Sequence, residues 1–230
     1  MKTVLVTGAN RGLGLEFAKQ YLEQGCRVVA TTRDTAKAEA LQTLKTRFGD
    51  KLTLLTLNVS DAASRAQLAK ALTDHPIHIL INNAGVSGGW GELGKLDENQ
   101  WLQVLQVNAI APIKLTELLR ANLVAAEDAT VVFLSSKMGS MGDNTSGGSY
   151  IYRSSKAALN AAAKSLAIDL ASDSIKVAIL HPGWVRTDMG GPHGLIDAPA
   201  SVSGMRRVIA GLTKDQRGNF IAYDGTVIPW

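Results

Sequence analysis

Short apolar runs rich in Val, Ile and Leu alternate with longer stretches of helical periodicity along the chain. "TVLVT" is followed by a helical pattern over 12–24, "RVVAT" by one over 35–47, and "LTLLTL" by one over 61–73. The alternation continues with "IHILIN" and a helix near 97–124, "ATVVFLS" and a helix over 150–172, "IKVAIL" and a helix over 201–213, and a last strand near "NFIA". The strand-like runs are apolar at consecutive positions, as strands buried on both faces are, and such strands need a layer of helix on each side. The pattern therefore predicts an α/β fold: a single doubly wound Rossmann-type domain over residues 1–230, with a parallel sheet of about seven strands and helices on both faces.

In such a sheet ligands bind at the carboxyl ends of the strands, so the residues after each apolar run carry the functional information. After the first run comes "TGANRGLG", in which Gly8, Gly12 and Gly14 lead into a helix. Glycines let backbone turn tightly and approach a pyrophosphate, whose charge the helix N-terminus favours. Later run ends carry "INNAG" at 81–85, Asn108 in "QVNAIAP", "SS" at 135–136, Tyr152 and Lys156 in "YRSSK", and "HPGWVRT" at 181–187. On a helix, residues four apart share a face, so Tyr152 and Lys156 project together. An ammonium beside a phenol favours the phenolate and brings a proton donor closer to working pH.

Each of these motifs is weak alone. Together, in this order along the chain, TGxxxGxG, NNAG, the helix asparagine, the strand-end serine, YxxxK and PGxVxT resemble the short-chain dehydrogenase/reductase family. The segment "SKMGSMGDNTSGGSYIYRSSKAALN" and the tail "YDGTVIPW" resemble the branch of sniffer-type carbonyl reductases and bacterial C-factor proteins. The resemblance implies a hydride transfer between a nicotinamide and a carbonyl or secondary alcohol. Tyr152 would give the proton, Lys156 would hold the ribose, Ser136 would polarise the carbonyl and Asn108 would support a relay water. Ser136 stands sixteen residues before Tyr152, about three more than the common pattern, which leaves Ser135 and Ser140 as alternatives. A rigid strand end suits a catalytic hydroxyl better than a glycine-rich loop does.

The resemblance also implies the cofactor contacts. Gly8, Asn10, Arg11, Gly12, Leu13 and Gly14 would surround the pyrophosphate, Thr32 and Arg33 the adenosine ribose, and Asn58 and Val59 the adenine. Asn83, Ala84 and Gly85, with Pro182, Gly183, Val185 and Thr187, would also contact the cofactor, together with Tyr152 and Lys156. An NAD site usually ends its second strand with an acid, whereas "RVVATTRD" offers Thr32 and Arg33. A guanidinium grips a phosphate by paired charged hydrogen bonds, and Arg11 can approach from the other side, so NADP(H) is expected. Asp34, one position late, is the competing acid. Asn58 retains an oxygen that can accept from the adenine amino group.

Composition narrows the alternatives. Apolar residues make up 46% and charged residues 19%, ordinary proportions for a globular domain. No run of about 18 apolar residues occurs, and Lys2 leads straight into a strand, so no membrane span and a cytoplasmic location are expected. The net charge of +4 is scattered, which argues against a nucleic-acid partner. A single cysteine, Cys26, excludes an internal disulfide framework, and His181 and His193 lack partners for a metal site. His181 reads as a strand-end residue satisfied by backbone. Trp90 and Trp184 fall on strand-end loops where they can pack or line a pocket. The segment 188–200, "DMGGPHGLIDAPA", occupies the family's variable substrate loop. The alanine-rich helix from Tyr150 lets another helix approach closely, and a homodimer or homotetramer is expected. The competing function is a nucleotide-binding signalling or regulatory protein of the C-factor type.

Overall fold

In the computed structural model, which describes residues 1–89 and 91–230, seven strands form one sheet. They are β1 (Thr3–Val6), β2 (Arg27–Thr32), β3 (Leu52–Thr56), β4 (Ile79–Asn82), β5 (Thr130–Leu134), β6 (Lys176–His181) and β7 (Phe220–Ala222). All pairings are parallel, in the order β3-β2-β1-β4-β5-β6-β7. Parallel neighbours need crossovers, and helices supply them: α1 (Gly12–Glu23), α2 (Glu39–Phe48), α3 (Ala62–Ala71), α4 (Glu98–Leu105), α5 (Ala111–Leu118), α6 (Arg120–Val124), α7 (Tyr150–Asp169) and α8 (Ala198–Gly211).

The alternation of side chains along β1 builds two cores. Val4 and Val6 join Phe17 and Leu22 of α1 and Met205 of α8, while Leu5 joins Leu68 of α3, Leu115 of α5 and Leu159 of α7. The sheet is thus covered on both faces, as its consecutive apolar positions require. Between β1 and β4 the winding direction reverses, and a sheet of this order has its ligand crevice at the carboxyl ends of those strands.

Several helix boundaries differ from the periodicity. α2 starts at Glu39 rather than near 35, because the Asp34 carboxylate accepts from the backbone N–H groups of Ala36 and Lys37 and holds a turn there. α8 starts at Ala198 rather than 201: Asp197 caps it by accepting from Ala200 N, and Pro199 is preset for the first turn. α7 ends at Asp169, short of 172. The long helix expected over 97–124 is α4, a π-helical turn over Gln106–Ile110, α5 and α6. No described helix is long and apolar enough to cross a membrane.

Candidate active site

The crevice between β1 and β4 is built by polar groups at the two strand ends. The Thr7 hydroxyl accepts from the backbone N–H groups of Asn83 and Ala84, both at 3.0 Å. Asn83 Nδ2 in turn donates to the carbonyls of Thr7 (2.8 Å) and Gly8 (3.0 Å). These bonds bring the first loop against the end of the fourth strand so closely that a Cβ on Gly14 would lie 2.5 Å from Asn83 Nδ2, and the turn itself is tight enough to put it 2.4 Å from the Gly8 oxygen. Gly8 adopts φ +63 with its Cβ position 3.1 Å from Ala84 Cα, a conformation and an approach that suit glycine alone. α1 then begins at Gly12 with no side-chain cap, so its first N–H groups face the crevice as donors for an anion. Asn10, Arg11, Gly12 and Leu13 form the rim of this cradle. The cradle fits a pyrophosphate.

Beyond β2, Thr32 is buried and Arg33 exposed. Asp34, the competing acid, is committed to its own loop and to Lys37 Nζ at 3.6 Å. Arg11 is paired with Asp188 of the loop after β6 at 2.5 Å, and both side chains are more than two-thirds exposed. Asn58 departs from expectation: its side-chain oxygen already accepts from Ser60 N and Ser60 Oγ, so in this arrangement it braces the loop after β3. Val59 is half-buried, and its carbonyl accepts from the buried Arg65 guanidinium.

Tyr152 and Lys156 lie on the first turns of α7, and the Ser136 hydroxyl, just past the end of β5, stands near enough to the Tyr152 phenol to oppose the rise of its pKa. Ser135 and Ser140 point elsewhere. The Ser135 hydroxyl donates to Asn160 Oδ1 at 2.5 Å in the core, and Ser140 Oγ faces the carbonyls of Pro229 (2.6 Å) and Trp230 (3.1 Å). Ser136 caps a short 3-10 turn over Lys137–Gly139 by accepting from Met138 N at 3.2 Å. That turn is clamped from two sides. A Cβ on Gly139 would stand 2.8 Å from Lys156 Cβ, and His181 Nδ1 accepts from Lys137 N at 3.2 Å. Burial and then the Lys137 charge push His181 down to about 4, which keeps that nitrogen an acceptor at neutral pH. Within the loop over 140–149, Arg153 Nη2 donates to Ser146 Oγ at 3.0 Å.

The electrostatics of the pair correct the expectation that the ammonium lowers the phenol. Burial raises the Tyr152 pKa, and only the nearby Ser136 hydroxyl opposes it. Lys156 is itself buried, donates to the Leu134 carbonyl at 2.7 Å, and sits 5.7 Å from the centre of the Tyr152 ring. Desolvation brings it down to about 8. Asn108 likewise works differently from a free amide. Its side chain accepts from Val86 N (2.9 Å) and donates to Val86 O (2.8 Å) and Ser155 Oγ (3.0 Å). It lies in the π turn, where the Gln106 carbonyl accepts from Ala111 N five residues on, and Pro112, with no N–H, precludes an ordinary α-helical bond to Asn108. Asn108 Oδ1 and Lys156 Nζ both flank Gly85.

The segment after β6 closes the crevice. Pro182 accepts from Ser201 Oγ at 2.6 Å, Gly183 turns with φ +84, and buried Val185 bridges to Ile196. Thr187 Cγ2 comes within 3.6 Å of the Cβ position of Gly12, joining this segment to the cradle. Trp184, Met189 and Leu195 are exposed on this loop, as Met141 and Tyr150 are on the loop entering α7. Trp90 lies outside the described residues. His193 is exposed, and among the described residues no group of three His, Cys, Asp or Glu can hold a metal.

The structure adds Thr7, Asn160 and Arg153 to the residues that shape the site. Asn160 carried a readable signal, being a polar residue in the buried stripe Lys156, Leu159, Asn160, Ala163. Lys156 has a measurable cost. Its folded value near 8 lies below the ordinary 10.5, so between these values the unfolded chain binds more protons and stability rises with pH. Thermal melts of the unliganded protein from pH 7.5 to 10.5 should show this rise, worth on the order of 3 kcal/mol in full, and Lys156→Met should lose it. A Lys156→Met profile parallel to wild type would refute the buried cation.

The family model for short chain dehydrogenases matches residues 2–194. The C-signal protein of Myxococcus xanthus is 46% identical over 155 residues, covering 67% of this chain and 93% of that protein. The solved carbonyl reductase Sniffer of D. melanogaster superposes with a TM-score of 0.95 at 33% identity, over 100% of both chains. An NADPH-bound carbonyl reductase from chicken fatty liver superposes with a TM-score of 0.93 at 32% identity, over 100% of this chain and 99% of that one.

Proposed function

Because the chain belongs to the short-chain dehydrogenase family, we propose that it is an NADP(H)-dependent carbonyl reductase in which Tyr152 gives a proton to the substrate oxygen. One observation carries the reading: the Tyr152 phenol, the Ser136 hydroxyl and the Lys156 amine meet at the strand ends beside a glycine cradle fit for a pyrophosphate. The bound dinucleotide supplies the hydride. Gly8, Gly12, Gly14 and the start of α1 would hold its pyrophosphate, Arg11 and Arg33 its 2′-phosphate, and Lys156 its nicotinamide ribose. Ser136 donates to the substrate carbonyl oxygen and polarises it. Tyr152 then protonates that oxygen, and burial keeps the phenol protonated at neutral pH, the form a reductase requires. Asn108, whose Oδ1 flanks Gly85 beside Lys156 Nζ, would support a water that can resupply the proton. The exposed Trp184, Met189 and Leu195 suit an apolar carbonyl substrate. Consumption of NADPH with a panel of aldehydes, ketones and quinones tests the proposal, and binding of NADPH without turnover of any of them counts against it.

The similarity to C-signal supports a second reading, a nucleotide-binding signalling protein. The complete set of Ser136, Tyr152, Lys156 and Asn108 favours the enzyme, since binding alone needs no proton donor. Assembly is part of the same proposal. Ala161, Ser165 and Ile168 line an exposed stripe on α7, and Leu102, Ile110 and Leu118 are exposed along α4, the π turn and α5. A second copy packing there gives a homodimer or homotetramer. Light scattering at micromolar concentration should report that mass for wild type and a monomer for Ile168→Glu with Leu118→Glu. A monomeric wild type excludes it.

A further inference from the structure

At the end of the sheet remote from the crevice, a cavity of about 350 Å³ opens where the strands begin. Lys2 precedes β1, His78 precedes β4, Asp128 precedes β5 and Lys176 begins β6, while Arg206 and Arg207 reach in from α8. Four cations therefore face one carboxylate. Lys176 is paired with Asp128 at 3.0 Å, but no ion pair joins Lys2, Arg206 or Arg207 to a carboxylate among the described residues. Arg206 is held by neutral groups only. It donates to Gln20 Oε1 at 2.7 Å and lies 4.8 Å over the Tyr21 ring, and its Nε is buried with no partner among the described residues. The surroundings register the field: His78 is held below its ordinary value by burial and by Lys2, and Asp128 is lowered chiefly by the hydrogen bond from Lys176.

A concave wall lined by like charges focuses their potential and concentrates an anion of opposite charge there. We infer that this cavity is a binding site for a small phosphate-bearing anion, separate from the dinucleotide crevice. Cations supplied by separate elements around one space suit a compact polyanion such as a phosphate better than a single planar carboxylate, and Thr130 and Ser203 line the same space. The length of β6 separates the two sites by roughly 20 Å. Occupancy here is thus independent of the nicotinamide chemistry, and the inference stands whether or not the reductase reading does.

Cys26 supplies the test, since it is the chain's one cysteine, lines this cavity and is only half-buried. Its alkylation by iodoacetamide, a neutral reagent, should slow about tenfold with pyrophosphate at ten times its dissociation constant, because only the free form reacts. The protection should be equal with and without saturating NADPH. It should vanish in Arg206→Ala, weaken in the exposed-residue variant Arg207→Ala, and persist in Arg33→Ala. Citrate at the same charge should protect less. Absence of protection by 10 mM pyrophosphate, full protection in folded Arg207→Ala and Arg206→Ala, or loss of protection under NADPH would each overturn the assignment.

Discussion

Tyr152→Phe is expected to lower kcat for carbonyl reduction by about 10²–10⁴-fold, the range of a lost general acid. The KM for NADPH and the melting temperature should change little. Phenylalanine keeps the ring's volume in its half-buried site, and Ser136 keeps its bond from Met138 N. Lys156 keeps its bond to the Leu134 carbonyl, so the cofactor side of the pair is untouched. The structural cost is then the polar contact of the phenol with the nearby Ser136 hydroxyl, about 1 kcal/mol or less. Ser136→Ala should also lower kcat, by about 10²–10³-fold, because it removes a donor aimed at the developing oxyanion. Ser135→Ala and Ser140→Ala lie outside this chemistry, and any effect they have should appear in stability. Wild-type turnover by Tyr152→Phe would sink the mechanism.

The strand ends were legible because glycine, asparagine and tyrosine at fixed spacing are local statements, and a parallel sheet converts local positions into one site. Gly8 and Gly14 illustrate this: their spacing announces a tight turn, and the close approach of Ala84 and the Gly8 carbonyl explains it. What depends on packing between elements was not legible. The direction of the Tyr152 shift follows from how deeply α7 is buried, which spacing does not encode. The partners that hold Ser135 and Ser140, Asn160 for one and the 229–230 carbonyls for the other, are both distant in sequence. The break within 97–124 escaped periodicity because apolar residues continue through the π turn. Pro112 was its one local sign. The cavity at the far end draws Lys2, His78, Lys176 and Arg206 from separate elements, so only the topology collects them.

Arg11→Ala combined with Arg33→Ala is expected to raise the KM for NADPH by about tenfold at least, and far more than that for NADH, because each lost charged hydrogen bond costs about 1.5–3 kcal/mol. Arg33 is exposed beyond β2, free to reach a 2′-phosphate. Arg11 must first leave Asp188. That pair is more than two-thirds exposed, and exposed pairs contribute about 1 kcal/mol or less, so a phosphate offering charge-assisted bonds in the crevice outcompetes it. Asp34 does not oppose the phosphate directly, since its carboxylate is occupied by the N–H groups of Ala36 and Lys37. An intermediate variant separates the two contributions: Asp188→Asn frees Arg11 without removing it, and should leave the KM for NADPH unchanged or lower. Salt should weaken NADPH binding more than NADH binding, because the additional affinity is charge-based and screened. Equal effects of the double variant on both cofactors, or a wild-type preference for NADH, would refute the arginine clamp.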